Sequence, residues 1–252
     1  MKKKACYLKG KNALVTGASS GLGPYVCNAL SEAGVNIAIH FNTNEKEAIR
    51  LAGSLKNKNI VLRSDLNNST QARQLFKKSI GFLGPVSILV NCAAAESQSI
   101  CPLAEMCEDN WEKTQRINVQ APMILIQEFA KQELPGAIIN ISSIEASQPT
   151  YGHAHYSVSK AALEGLTKAS ALEFGEMGIR VNSIAPGLIN RKDIKESWPE
   201  GFAAWKNSAP LGELVQPENI ASMVVFLASE SASSISGSLV TIDCGLQSKP
   251  SW

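Results

Sequence analysis

The chain has 252 residues, 44% of them hydrophobic. That is enough for one large core, and with no linker, low-complexity tract or repeat to divide it, residues 1–252 read as a single domain. A formal net charge of +2 leaves no basic excess for a nucleic-acid backbone. The one local cluster, Lys2 to Lys4, is a solvated end without the apolar stretch of a secretory signal. No apolar run reaches the ~18 residues of a membrane helix, so a cytoplasmic protein with neither nucleic-acid nor membrane partner is expected. The six cysteines form no C-x-x-C pair and have no histidine at ligand spacing, so no metal site is expected from them.

Short runs rich in Val and Ile recur along the chain at Ala13 to Val15, Val35 to Ile39, Ile60 to Leu62, Val86 to Val90, Ala137 to Ile141, Ile179 to Ile184 and Leu239 to Ile242. Segments with apolar spacing near 3.6 lie between them: Tyr25 to Ala33, Thr70 to Phe82, Trp111 to Lys131, Tyr156 to Glu176 and Pro217 to Ala228. Strands that read as continuous apolar runs are covered on both faces, and intervening helices make them parallel. The alternation predicts an α/β fold: one doubly wound, Rossmann-type parallel sheet with helices on both faces. Ligands in such sheets bind beyond the carboxyl ends of the strands.

After the first run comes Thr16-Gly17-Ala18-Ser19-Ser20-Gly21-Leu22-Gly23-Pro24. Glycines between a strand and a helix let backbone approach a pyrophosphate, and the next helix turns its free N–H groups and positive dipole end toward that anion. Pro24 suits a first helical turn, where its missing N–H costs nothing. Glycines alone fit an ordinary turn equally well, and the spacing is not G-x-G-x-x-G. After the second run, His40 to Asn44 offer no carboxylate placed for a ribose 2′-OH, Glu45 being displaced into the next helix.

Further along, Tyr156 and Lys160 stand four apart at the start of a predicted helix, hence on one face. An adjacent ammonium favours ionisation of a phenol, so Lys160 can tune Tyr156 as proton donor or acceptor. Taken alone, such a pair is better read as a surface pair on a helix. Ser142 and Ser143 follow a buried strand, where a hydroxyl can reach a substrate oxygen.

The set as a whole resembles the short-chain dehydrogenase/reductase family over essentially the entire chain. Thr16 to Gly23 is similar to its TGxxxGxG loop, Asp65 to its adenine-contacting acid, Asn91 to Ala94 to its NNAG turn and Pro186-Gly187 to its nicotinamide-side turn. Asn118, Ser143, Tyr156 and Lys160 match its catalytic tetrad, Ser143 by its distance before the tyrosine. The resemblance implies that Tyr156 exchanges a proton with the substrate oxygen, which Ser143 holds. It implies that Lys160 binds the nicotinamide ribose and that Asn118 positions a water, although an Asn in a helix kink also bonds backbone. Implied cofactor-binding residues are Gly17, Ser19, Ser20, Gly21, Leu22, Gly23, Asn42, Thr43, Asp65, Leu66, Asn91, Ala93, Tyr156, Lys160, Pro186, Gly187 and Ile189.

The missing acid after the second strand favours NADP(H), with Asn42 and Thr43 as partners for the 2′-phosphate and NAD(H) as the alternative. Departures from the family are Cys92 and Ala94, Arg191 in place of a Thr, and Cys244 within Asp-Gly-Gly. For the substrate, a small carbonyl or alcohol, the rim candidates are Glu96, Glu145, His153 and Trp198. Residues 189–210, with Phe202 and Trp205, resemble a lid. His153 and His155 read equally as surface loop histidines. The implied activity is that of a 3-oxoacyl-type ketoreductase, with a sugar or polyol dehydrogenase as the alternative and a non-catalytic cofactor sensor as a more distant one. A homotetramer or homodimer is implied by the same resemblance.

Overall fold

The computed structural model describes residues 8–95 and 100–249. Seven parallel strands form one sheet: β1 (Asn12–Val15), β2 (Asn36–Phe41), β3 (Asn59–Arg63), β4 (Ile88–Asn91), β5 (Gly136–Ile141), β6 (Ile179–Pro186) and β7 (Leu239–Ile242), in the order β3-β2-β1-β4-β5-β6-β7. The order reverses between β1 and β4, and a crevice at the carboxyl ends of the strands follows from that reversal.

Each helix starts and stops for a local reason. α1 (Gly23–Glu32) carries Pro24 in its first turn and is followed by Gly34 at φ +92°. α2 (Glu45–Ser54) has Glu45 and Glu47 against its positive end. Asn68 caps α3 (Ser69–Leu83), its Oδ1 accepting the Gln71 N–H at 3.1 Å.

The segment expected as one helix from Trp111 to Lys131 is interrupted. α4 (Glu108–Gln115) and α5 (Ala121–Ala130) are joined by a π-helical turn, Arg116–Gln120, which holds Asn118 at its centre. Such widened turns occur frequently at functional sites. α6 (Ala154–Phe174) is the longest helix. The expected lid segment folds as two short helices, α7 (Ile194–Ser197) and α8 (Pro199–Ser208), and α9 (Pro217–Ala228) covers the sheet again.

Two cores sandwich the sheet. On one face Val26 and Leu30 of α1 meet Ile220 and Val224 of α9 over Val15, Ile39 and Val90. On the other, Leu75 and Phe76 of α3 meet Ile124 and Phe129 of α5, the two phenyl rings edge to face at 6.2 Å. Gly136 opens β5 because a Cβ there would lie 2.6 Å from the Phe129 ring and 2.6 Å from the Ser87 carbonyl. Among the described residues no helix is long and apolar enough to cross a membrane, no His/Cys/Asp/Glu group is placed to hold a metal ion and no disulfide joins the cysteines.

Candidate active site

The three glycines after β1 each answer a different constraint. Gly17 takes φ +64°, and a Cβ there would lie 2.7 Å from the α-carbon of Ala93. Gly21 takes φ +53° and faces open space, while a Cβ on Gly23 would lie 2.2 Å from the Gly17 carbonyl oxygen. The loop is tied down at its start: Thr16 Oγ1 accepts the N–H groups of Cys92 and Ala93, both at 3.0 Å, and His40 takes those of Gly17 and Ala18. Beyond that point the amides of Ser19, Ser20, Gly21 and Leu22 have no hydrogen-bond acceptor among the described residues. Four consecutive unbonded N–H groups at the head of α1, with no side chain at Gly21, form a cradle for an anion. The cradle fits the pyrophosphate of a dinucleotide.

The residues expected at the adenosine lie at the ends of β2 and β3. Asn42 and Thr43 are exposed there. His40 is not: it is 2% exposed and its ring points into the loop, because it lies inside buried β2 whereas Asn42 is already past the strand end. Asp65 Oδ1 accepts the Asn67 N–H at 2.9 Å, which fixes the carboxylate beside buried Leu66 at the end of β3. Sequence reasoning missed Arg63. Its Nε donates to the Asn42 carbonyl at 3.2 Å, which brings an exposed guanidinium to the loop after β2. A charged residue closing an apolar run was the available signal, but only the β2–β3 register, Phe41 against Arg63, places it.

The turn after β4, which carries Cys92 and Ala94, packs against the glycine loop. Asn91 is tied into the sheet through Nδ2, which donates to Asn140 Oδ1 at 2.8 Å, while its Oδ1 is buried with no hydrogen-bond partner among the described residues. Ala93 lies against Gly17. Asn118, 1% exposed, bonds the next residues at both ends of one amide: its Oδ1 accepts the Ala95 N–H at 2.7 Å and its Nδ2 donates to the Ala95 carbonyl at 3.2 Å. Nδ2 also donates to Ser159 Oγ at 2.9 Å. The backbone-bonding reading of Asn118 therefore describes its side chain.

At the end of β5 the two serines part company. Ser142 Oγ donates to Glu164 at 2.7 Å within α6, whereas Ser143 Oγ accepts the Glu145 N–H at 3.2 Å at the rim of the crevice. Lys160 is 2% exposed; its ammonium donates to the Ile141 carbonyl at 2.8 Å and lies 5.3 Å from the centroid of the half-buried Tyr156 ring. A buried cation beside a phenol favours the phenolate.

Pro186 ends β6, and the Gly187 N–H donates to Ile242 at 2.9 Å. A Cβ on Gly187 would lie 2.3 Å from the ring of Trp205, which is 9% exposed. Trp205 thus packs beneath the turn. Ile189 bridges to Val215. Arg191 and Lys192 line a shallow cleft of about 190 Å³ with Tyr25 of α1. On the substrate side, Glu145 Oε2 meets His153 Nδ1 at 3.1 Å and accepts from Ser157 Oγ at 3.3 Å. Trp198 is half exposed, seated on Gly201 between the lid helices. Glu96 lies outside the described residues. His155 is no surface residue: it is 1% exposed, burial holds its pKa down, and neither ring nitrogen has a hydrogen-bond partner among the described residues.

A family model described as Enoyl-(Acyl carrier protein) reductase matches residues 17–247. The chain is 32% identical over 254 residues to 3beta-hydroxysteroid dehydrogenase 1 of Eggerthella lenta, covering 97% of each. It is 31% identical over 242 residues to a 3-oxoacyl-(acyl-carrier-protein) reductase of Staphylococcus aureus, covering 94% of this chain and 98% of that one. Among solved structures, a blue fluorescent protein from a metagenomic library in complex with NADPH superposes with a TM-score of 0.88 at 33% identity, over 95% of this chain and 99% of that one. A mutant short-chain dehydrogenase/reductase of Serratia marcescens gives a TM-score of 0.90 at 28% identity, over 95% and 99%. The chain belongs to the short-chain dehydrogenase/reductase family, a family of nicotinamide-dependent oxidoreductases.

Proposed function

We propose that the protein is an NADP(H)-dependent ketoreductase or secondary-alcohol dehydrogenase of the 3-oxoacyl type, with Tyr156 as its acid/base. The observation that carries this reading is the buried Lys160 ammonium beside Tyr156, 5.3 Å from the ring centroid, with Ser143 at the mouth of the same strand end. Tyr156 protonates the developing alkoxide or, in reverse, takes the hydroxyl proton, and Ser143 holds the oxygen through its hydroxyl. Lys160 favours the phenolate side of that equilibrium, and Asn118 positions a water in the proton relay. A bound nicotinamide supplies or accepts the hydride. The relatives named for 3-oxoacyl and hydroxysteroid substrates act on a ketone or secondary alcohol, the group this arrangement suits.

The preference for NADP(H) rests on Arg63, whose guanidinium is held at Asn42, and on the absence of a carboxylate at Asn42 to Asn44. A sugar or polyol substrate is the second reading. It is favoured by the polar cluster of Glu145, His153 and Ser157, which can bond several hydroxyls. The lid over either substrate is residues 189–210. We propose a homodimer or homotetramer built on α6, where Val158 is 47% and Leu172 84% exposed; light scattering that gives a stable monomer contradicts it.

The test is a panel of β-ketoacyl thioesters, diketones, hydroxysteroids and sugars with NADPH and with NADH. Oxidation of NADPH by β-ketoacyl thioesters is expected. Activity confined to sugars shifts the assignment to the second reading. Firm cofactor binding without turnover of any carbonyl or alcohol leaves the non-catalytic sensor.

A further inference from the structure

His40 sits at a junction that none of the tetrad chemistry uses. Its Nε2 lies 3.0 Å from the Ser64 carbonyl oxygen, an atom that only accepts, so the ring proton is on Nε2. Nδ1 is then the bare nitrogen, and it accepts the Gly17 N–H at 3.0 Å. The His40 carbonyl takes the next amide, that of Ala18, at 2.9 Å. One residue of β2 therefore consumes the two loop amides that precede the four unbonded ones, and it joins the glycine loop to the end of β3 beside Asp65.

We propose that His40 is a positioning residue for the dinucleotide: its neutral Nε2–H imidazole holds Gly17 in the left-handed turn that leaves the Ser19 to Leu22 amides facing the pyrophosphate, and couples that cradle to the adenosine site at Ser64-Asp65. The proposal rests on the dinucleotide reading of the loop. The geometry admits one protonation state, because a second proton on Nδ1 would confront the Gly17 N–H, donor against donor. Burial works in the same direction, holding the imidazole neutral with a pKa of about 4, and the one charged group that raises it is the Asp65 carboxylate.

His40→Asn keeps an acceptor near Nδ1, whereas His40→Phe keeps a ring with none. NADPH and NADP⁺ affinities are measured by titration for both variants and the wild type, alongside thermal melts. The expected result is that His40→Phe binds roughly tenfold to a hundredfold more weakly, the scale of leaving a buried donor unpaired, while His40→Asn stays close to wild type even if both melt lower. Lower melting of His40→Phe with unchanged affinity overturns the proposal and makes His40 a packing residue. Failure of the wild type to bind either nicotinamide strikes the dinucleotide reading and the proposal with it.

If His40→Phe does not fold, nitrogen-15 spectra of the wild-type imidazoles decide, with His153→Asn and His155→Asn assigning the three histidines by elimination. A neutral Nε2–H ring at pH 6, whose Nδ1 signal moves on adding NADP⁺, supports the proposal. An Nδ1–H or charged His40 at that pH overturns it.

Discussion

Gly17 and Ala93 meet backbone to backbone where β1 and β4 release the chain, close enough that a Cβ on Gly17 would lie 2.7 Å from the Ala93 α-carbon. The NNAG-like turn can carry Cys92 and Ala94 because its contact with the glycine loop runs through Ala93 and through the two amides that Thr16 Oγ1 accepts. Gly17→Ala adds that clash to the strain of a left-handed alanine, about 1–2 kcal/mol. Melting lower by about 5 °C and a marked loss of nicotinamide affinity are expected. A Gly17→Ala protein that binds NADPH like the wild type would show that the loop does not face the cofactor.

Tyr156→Phe removes the hydroxyl and leaves the ring beside Lys160. Turnover should fall at least about a hundredfold, the usual worth of a positioned acid or base, while NADPH affinity stays near wild type. Steady-state rates on the most active substrate, with a fluorescence titration beside them, check both halves. A mutant that keeps most of its rate contradicts the role given to Tyr156.

Arg63 predicts a change in cofactor preference. Arg63→Ala should weaken NADPH binding about tenfold, the scale of one charge-assisted contact, and leave NADH nearly unchanged. The loss should shrink as salt is raised, since the guanidinium is exposed. Equal losses for both cofactors would instead make Arg63 a brace for Asn42.

Burial of His40 gives stability a pH dependence. The folded chain keeps the ring neutral down to about pH 4, whereas a free histidine side chain titrates near 6.5, so between those limits the unfolded chain holds more protons. Stability is complete above about pH 6.5 and declines as pH falls, by about 3 kcal/mol near pH 4. His155, also held down by burial, adds in the same direction. Urea unfolding of wild type and His40→Asn at pH 7, 5.5 and 4.5 isolates the His40 share: the wild type should lose more stability than the variant. Parallel declines would contradict it.

The inner strands β1, β2, β4, β5 and β6 were readable because they are buried on both faces and announce themselves as apolar runs; Leu239 to Ile242 matched to the residue by its β-branched composition, although this edge strand alternates exposed and half-buried positions. Pro217 to Ala228 was equally plain. The π turn at Asn118 was not, because an α-helix and a one-residue widening share the same apolar spacing. Ser143 and Ser142 are chemically alike; the distance before Tyr156 selected Ser143, and what the sequence did not show is that Ser142 is taken by the Glu164 carboxylate on α6. His40 and Arg63 escaped because their roles come from strand register: one residue of β2 turned into the loop, one residue of β3 brought beside Asn42. His155 looked like a loop histidine because its burial depends on α6 beginning at Ala154, just ahead of Tyr156.

The central claim is that the crevice above β1 and β4 holds a nicotinamide dinucleotide with its pyrophosphate on the Ser19 to Leu22 amides. The measurement that tests it most directly is a tryptophan-fluorescence titration of the purified protein with NADPH and with NADH, Trp205 lying against Gly187 as the reporter. Saturable quenching, with NADPH binding more tightly, is the predicted result. No binding of either cofactor would contradict it.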